Sequence, residues 1–187
     1  MSTYETELRF KVDKFDSFID KLNALGFSSS DWVLEQNYIF DDKDNNLMKK
    51  DVALRLRKAG SDVTLTYKGA SMDSDSKTRE EIVTKVECFD KMGKVLDKLG
   101  LSLFRVYEKK RKRFSNGSAE IVLEKIPFIG NWLEIEGESD TINKVARDLG
   151  LELDNGSVDI YDDRAEEIYS KGIQLTFENE KNGKGLL

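Results

Sequence analysis

Seven stretches of this chain carry polar, mostly charged side chains at alternate positions, and that repetition constrains the fold more than any other feature. In 4–12, Glu5, Glu7, Arg9 and Lys11 alternate with Tyr4, Thr6, Leu8, Phe10 and Val12. Successive side chains of a strand point to opposite faces, so each set occupies a face of its own. The pattern returns in Ala53-x-Arg55-x-Arg57, Thr64-x-Thr66-x-Lys68, Arg79-x-Glu81, Lys109-x-Arg111-x-Arg113, Glu120-x-Val122-x-Glu124 and Glu134-x-Glu136. One such strand is the ordinary mark of a half-buried sheet. So many together imply a sheet with a whole ionic face, and if that sheet curls, the face lines a channel.

Composition narrows the chemistry. A chain of 187 residues can build one domain with a real core, or at most two small ones. Its 39% hydrophobic and 35% charged residues suit a soluble globular protein; the charged share exceeds the usual ~25%. No apolar run approaches the ~20 residues of a membrane span. Glu5, Glu7 and Arg9 stand where a signal peptide would need apolar residues. The one cysteine, Cys88, cannot form an intramolecular disulfide and opens an expected helix as a packing residue, so a cytoplasmic location is expected. The absence of histidine removes Ser-His-Asp and Cys-His catalysis, histidine-based zinc sites and the usual general base. Catalysis must therefore rest on carboxylates, lysine, tyrosine, hydroxyls and hard cations. A net charge of −6 with both signs interleaved argues against a nucleic-acid partner. Even the run Glu108-Lys109-Lys110-Arg111-Lys112-Arg113, laid on a strand, splits between two faces.

In chain order, the spacing of Phe15, Phe18, Ile19, Leu22 and Leu25 predicts a helix over 13–26, capped by Asp13 and ended by Gly26. A strand is expected over 32–41, then a solvated turn over 41–46. That turn is as acidic as a calcium loop but lacks its glycine, and Ala53 stands where the closing glutamate belongs. A hairpin is expected from 52–58 and 63–68, a flexible polar loop over 71–77 and a strand over 78–86. Phe89, Met92, Val95, Leu96 and Leu99 mark a helix over 89–99. Long strands over 103–114 and 119–126 meet at Ser115-Asn116-Gly117-Ser118, a strong turn signal. A strand over 132–137, a helix over 139–149 capped by Ser139 or Asp140, and a helix over 159–171 complete the chain. The two halves echo each other without a linker, so one domain over 1–177 is expected, with 178–187 a disordered tail.

Carboxylates and cations enclosed together need a reason, because buried charge is costly unless paired or bound to counter-ions. The basic set suits a polyanion such as a triphosphate, with arginine giving bidentate contacts to phosphate oxygens. The acidic set would repel that polyanion unless a divalent cation lay between them, and oxygen-only ligation favours Mg²⁺ or Mn²⁺.

The ordered series Glu5-x-Glu7-x-Arg9, Arg55-x-Arg57, Tyr67-Lys68-Gly69, Arg79-x-Glu81, Glu108-Lys109-x-Arg111 and Gly130-x-Trp132-x-Glu134-x-Glu136 resembles the CYTH family, the triphosphate tunnel metalloenzymes. The first motif is similar to that family's ExExK signature, and the series covers roughly residues 4–137. The resemblance implies an α+β fold: an eight-stranded antiparallel β tunnel, a closed barrel with a charged interior, flanked by helices. It implies that Arg9, Lys11, Arg55, Arg57, Lys68, Arg79, Lys109 and Arg111 hold the phosphates. Glu5, Glu7, Glu124, Glu134 and Glu136 would hold one or two Mg²⁺ or Mn²⁺ ions. Arg9 replaces the signature lysine and is a poor general base, so Lys11, on the same face, or Tyr38 would help position water, with Glu136 the third candidate for a catalytic role. Glu124 stands where the family has aspartate. The expected partner is a triphosphate-bearing small molecule, with no nucleic acid or membrane; a homodimer is compatible. The functions weighed are a triphosphatase acting on inorganic triphosphate, a nucleoside triphosphate or thiamine triphosphate, a class IV adenylyl cyclase, and a non-catalytic polyphosphate or nucleotide sensor. Five carboxylates argue against the last.

Overall fold

The computed structural model describes residues 6–70, 80–157 and 163–183. Among them, nine strands run in order: β1 (Thr6–Val12), β2 (Ser28–Ser29), β3 (Val33–Asp42), β4 (Ala53–Ala59), β5 (Asp62–Lys68), β6 (Glu81–Lys85), β7 (Leu101–Ser115), β8 (Ala119–Ile126) and β9 (Gly130–Gly137). Six helices accompany them: α1 (Asp16–Ala24), α2 (Asn46–Lys49), α3 (Phe89–Lys98), α4 (Ser139–Leu149), α5 (Asp163–Ser170) and α6 (Phe177–Lys181). The fold is α+β, with hydrogen-bonded strand order β1-β9-β8-β7-β3-β4-β5-β6 and β2 added to β7.

The expected closed, eight-stranded barrel is not what forms. Among the described residues the sheet has nine strands, and its end strands, β1 and β6, are not neighbours in that order. The outer edge of β1 is taken instead by Ser157: Arg9 N donates to Ser157 O at 2.9 Å, and Ser157 N donates to Arg9 O at 2.8 Å. The extra strand arises because β7 is fifteen residues long and carries Ser28 and Ser29 beside Ser115 and Phe114.

The chain divides into two compact units, Met1–Val33 with Lys109–Leu187, and Leu34–Glu108. In the first, strands β1, β9, β8 and the end of β7 turn one face to a hydrophobic core. Phe10, Phe114, Ile121, Leu123, Leu133 and Ile135 meet Leu22 of α1 and Ile142, Val145, Ala146 and Leu149 of α4 there. The spacing of the α4 residues is a helical stripe. Gly150 ends α4 at φ 78, and Leu151 N donates back to Ala146 O at 2.8 Å, a closure that needs a left-handed residue. Helix α1 begins at Asp16 rather than 13, with Phe15 in the capping position and no side-chain cap, so the expected role of Asp13 does not hold. Ser139 and Asp140 lie inside α4 and Glu138 precedes it, again without a side-chain cap.

In the second unit, β3, β4 and β5 pair in antiparallel register and β6 continues the sheet. Phe40, Leu56 and Val63 pack with Leu96 of α3, and Phe89 and Met92 of α3 lie against them. The segment expected as a solvated turn does structural work. Asp41, 2% exposed, accepts from Leu47 N and Met48 N at 3.0 and 2.9 Å and so starts α2. Asp42 accepts from Asp44 N, Asn46 N and Asn46 Nδ2; the Asn46 bonds hold its carboxyl below the usual carboxylate range. Near the C-terminus α6 takes in 178–181 of the tail expected to be disordered, capped by Thr176 Oγ1 accepting from Asn179 N at 3.2 Å, and 184–187 lie outside the described residues. The polar loop expected over 71–77 lies outside the described residues. Among the described residues, no helix is long and apolar enough to cross a membrane.

Candidate active site on the polar sheet faces

Register converts the alternating pattern into rows of side chains. In the first unit, Glu7 is the partner of Glu136 and Glu136 of Glu120. One step along, Arg9 partners Glu134, which partners Val122, which partners Arg113. The next row reads Lys11, Trp132, Glu124, Arg111. All these residues share the face opposite the hydrophobic core, as their parity requires.

Contacts on this face are dense. Arg9 Nε lies 2.8 Å from Glu134 Oε2, and its Nη2 lies 3.2 Å from Glu7. Glu124 is fully buried, accepts from Lys109 Nζ at 3.0 Å and forms an ion pair with Arg111, whose Nε lies 2.8 Å away. Arg111 Nη2 also lies 3.6 Å from Glu134. Arg113 pairs with Glu120. Burial alone would push the Glu124 carboxyl up, but Lys109 and Arg111 outweigh it and hold the group below the usual carboxylate range. Burial likewise works against the Arg9 charge, and the carboxylates of Glu134 and Glu7 reverse that, raising its pKa. Lys11 is exposed, with Nζ 5.9 Å from the Trp132 ring centre. The Trp132 indole N–H is buried without a hydrogen-bond partner among the described residues.

The second unit carries its own polar face. Asn37 partners Arg57, Arg57 partners Thr64, and Thr64 partners Lys85. Beside that row, Ile39, Arg55, Thr66 and Val83 align, and Ala53, Lys68 and Glu81 follow. Lys68 Nζ lies 2.6 Å from Glu81 Oε1, whereas Arg57 Nη1 is 4.0 Å from Glu35. Arg55 makes no ion pair among the described residues, and its Nε is buried without a hydrogen-bond partner.

The structure therefore sets Glu7, Arg9, Lys11, Lys109, Arg111, Glu124, Glu134 and Glu136 on one polar face, and Arg55, Arg57 and Lys68 on another. Glu5 and Arg79 lie outside the described residues. Tyr38 is a correction. It has the opposite parity to Asn37 and stacks edge-on against Phe89 at 4.9 Å, in the hydrophobic cluster, so it cannot position water on the polar face. The residue that belongs there is its neighbour Asn37, 1% exposed, which sequence reasoning passed over along with buried Glu35 and Thr66. The signal was present: both Asn37 and Glu35 share the parity of Asp41, not that of Tyr38 and Phe40.

Whether a divalent metal fits can be judged from the donors. Glu124 and Glu134 are each engaged by two basic side chains, which leaves them better suited to aim cations than to ligate a metal. Glu7 and Glu136 are directly opposed, an arrangement that destabilises a sheet unless positive charge lies nearby. Among the described residues, no three acidic side chains converge closely enough to hold an ion alone. Mg²⁺ does not need that, since it is commonly held by one or two carboxylates plus substrate phosphates and water. The Glu7–Glu136 pair supplies two opposed carboxylates of that kind, with Glu7 also paired to Arg9.

The family model of the CYTH domain matches residues 3–156. The chain belongs to the CYTH domain family. The match takes in strands of both units, the ionic face of the first and the arginine pair of the second. Among CYTH relatives, a Methanocaldococcus jannaschii protein named "Putative adenylate cyclase" is 31% identical over 140 residues, covering 75% of this chain and 80% of the relative. A Vibrio parahaemolyticus structure described as a "putative adenylate cyclase" superposes with a TM-score of 0.74 at 17% identity, covering 91% of this chain and 99% of that one. A Hippeastrum structure described as a "putative adenylyl cyclase" with a dominant triphosphatase activity gives a TM-score of 0.63 at 17% identity over 93% of this chain and 98% of its own. At that identity the two structures bear on the fold alone.

Proposed function

We propose that this CYTH protein is a Mg²⁺- or Mn²⁺-dependent enzyme that binds the triphosphate of a small-molecule substrate and cleaves a phosphoanhydride bond. One observation carries the reading: Arg55 holds a buried guanidinium nitrogen, Nε, with no hydrogen-bond partner among the described residues. A buried cation calls for a counter-charge, and a guanidinium fits phosphate oxygens bidentately. On the second unit Arg57 and Lys68 share the face of Arg55; on the first, taken by itself, Arg9, Lys11, Lys109 and Arg111 are likewise proposed to meet phosphate, with Arg79 a further candidate. Glu134 and Glu124 hold Arg9, Lys109 and Arg111 in place. Glu7 and Glu136, with Glu5, are the residues proposed to hold the metal. The ion, when bound, withdraws charge from the phosphate oxygens and the leaving group. Exposed Lys11 is the group proposed to orient the attacking water, because Arg9 stays protonated.

A second reading is cyclisation of ATP to cAMP and pyrophosphate, favoured by the name of the 31%-identical relative. The two differ in which phosphorus meets the nucleophile. The test is incubation of the full chain with ATP, inorganic triphosphate and thiamine triphosphate under Mg²⁺ or Mn²⁺, with the products separated. Release of phosphate, lost in excess EDTA, is expected. cAMP with pyrophosphate would install the second reading, and undiminished turnover in EDTA, or no product from any substrate, would overturn the proposal.

A further inference from the structure

Five buried polar atoms on the polar face of the second unit have no hydrogen-bond partner among the described residues: Nδ2 and Oδ1 of Asn37, Nε of Arg55, and the hydroxyls of Thr64 and Thr66. They are neighbours in the sheet. Asn37 partners Arg57, which partners Thr64, and Arg55 partners Thr66. Asn37 is 1% and Thr66 0% exposed. Folded proteins leave few such groups unsatisfied, because each has given up its hydrogen bonds to water. Chance would scatter them, whereas these occupy adjacent positions on three strands.

Their chemistry is not that of a phosphate site alone. Arg55 Nε, the threonine hydroxyls and Asn37 Nδ2 can all donate to phosphate oxygens, but Asn37 Oδ1 can only accept. An ionised triphosphate offers it nothing. Exchanging the two amide atoms changes nothing, since both are unpartnered. The group that completes Asn37 carries an O–H or N–H, as water, a sugar hydroxyl or a ring amine does, and of these the ring amine fits both amide atoms at once, as asparagine fits the amino-and-acceptor edge of adenine. We propose that Asn37, with Thr64 and Thr66, forms a neutral specificity subsite that binds the organic, donor-bearing part of the substrate beside Arg55 and Arg57. The enzyme then prefers a nucleoside-type triphosphate over inorganic triphosphate. This rests on the triphosphate reading above.

The experiment compares equilibrium binding of an imido analogue of ATP with that of imidotriphosphate, in Mg²⁺, for the wild type and Asn37→Leu. Leucine keeps the bulk and removes both donor and acceptor. The wild type is expected to favour the nucleotide, and Asn37→Leu to reduce the ratio of the two affinities about tenfold. Thr66→Val, which preserves shape and branching, should reduce it about threefold; it supplies the same readout if Asn37→Leu does not fold by circular dichroism. An unchanged ratio, or a wild type with no preference for the nucleotide, overturns the subsite while leaving triphosphate binding intact. A wild type that binds neither ligand overturns the functional proposal, and the subsite with it.

Discussion

Replacing Glu124 by alanine is expected to lower the thermal unfolding midpoint by roughly 10 °C. The carboxylate is fully buried and shared by Lys109 and Arg111, whose side chains are 13% exposed. Removing one partner of a buried ion pair strands the other charges and costs about 3–5 kcal/mol. In a chain of this size each kcal/mol shifts the midpoint by roughly 2–4 °C. The partly exposed Glu120–Arg113 pair is the internal control, since Glu120→Ala should cost no more than about 1 kcal/mol. Acid should expose the same dependence. Because the folded-state pKa of Glu124 lies below its ordinary value, its stabilisation is fully present above the usual ~4.3 and disappears as pH falls through the lower, folded value. The gap in unfolding midpoint between wild type and Glu124→Gln should therefore narrow on moving from pH 7 to below pH 4. A gap that is small at pH 7, or constant down to pH 3, would mean that the cluster contributes little.

Arg55→Met should behave in the opposite sense, weakening triphosphate binding by about 10- to 150-fold while leaving stability equal or slightly higher. The methionine keeps an aliphatic stem and removes a partly buried guanidinium that has no ion pair among the described residues. In the free protein that charge carries a desolvation cost without a counter-ion. In the complex, losing a charge-assisted contact costs ~1.5–3 kcal/mol. Titration calorimetry with imidotriphosphate, beside thermal melts, reads both quantities. A destabilised variant with unchanged affinity would show that Arg55 serves the fold and not the ligand.

The polar faces were legible in the sequence because a strand's period is two and register adds no freedom within a row. Glu7, Arg9 and Lys11 had to share one face of their strand, as did Trp132, Glu134 and Glu136 of theirs, and register brings the two sets onto the same face of the sheet. What parity could not supply is pairing across strands: nothing in Glu124 or Glu134 alone shows that each would be engaged by two cations. Closure was equally beyond the pattern, since it depends on which edges meet, and Ser157 occupies the edge of β1. Tyr38 was misplaced because Ile39 and Phe40 interrupt the alternation of β3, so a hydroxyl-bearing residue could be read onto either face. Asp41 looked like a solvated residue among other polar ones. Its burial follows from side-chain-to-backbone bonds to Leu47 and Met48, which composition does not reveal.

The most direct measurement is a calorimetric titration of the full chain with imidotriphosphate, in Mg²⁺ and in EDTA, at low and raised salt. Saturable one-to-one binding is expected, tighter with Mg²⁺ because Glu7 and Glu136 then face a cation, and weaker as salt screens the basic groups. Absence of saturable binding at millimolar ligand, with and without metal, would contradict the assignment of these polar faces to a triphosphate.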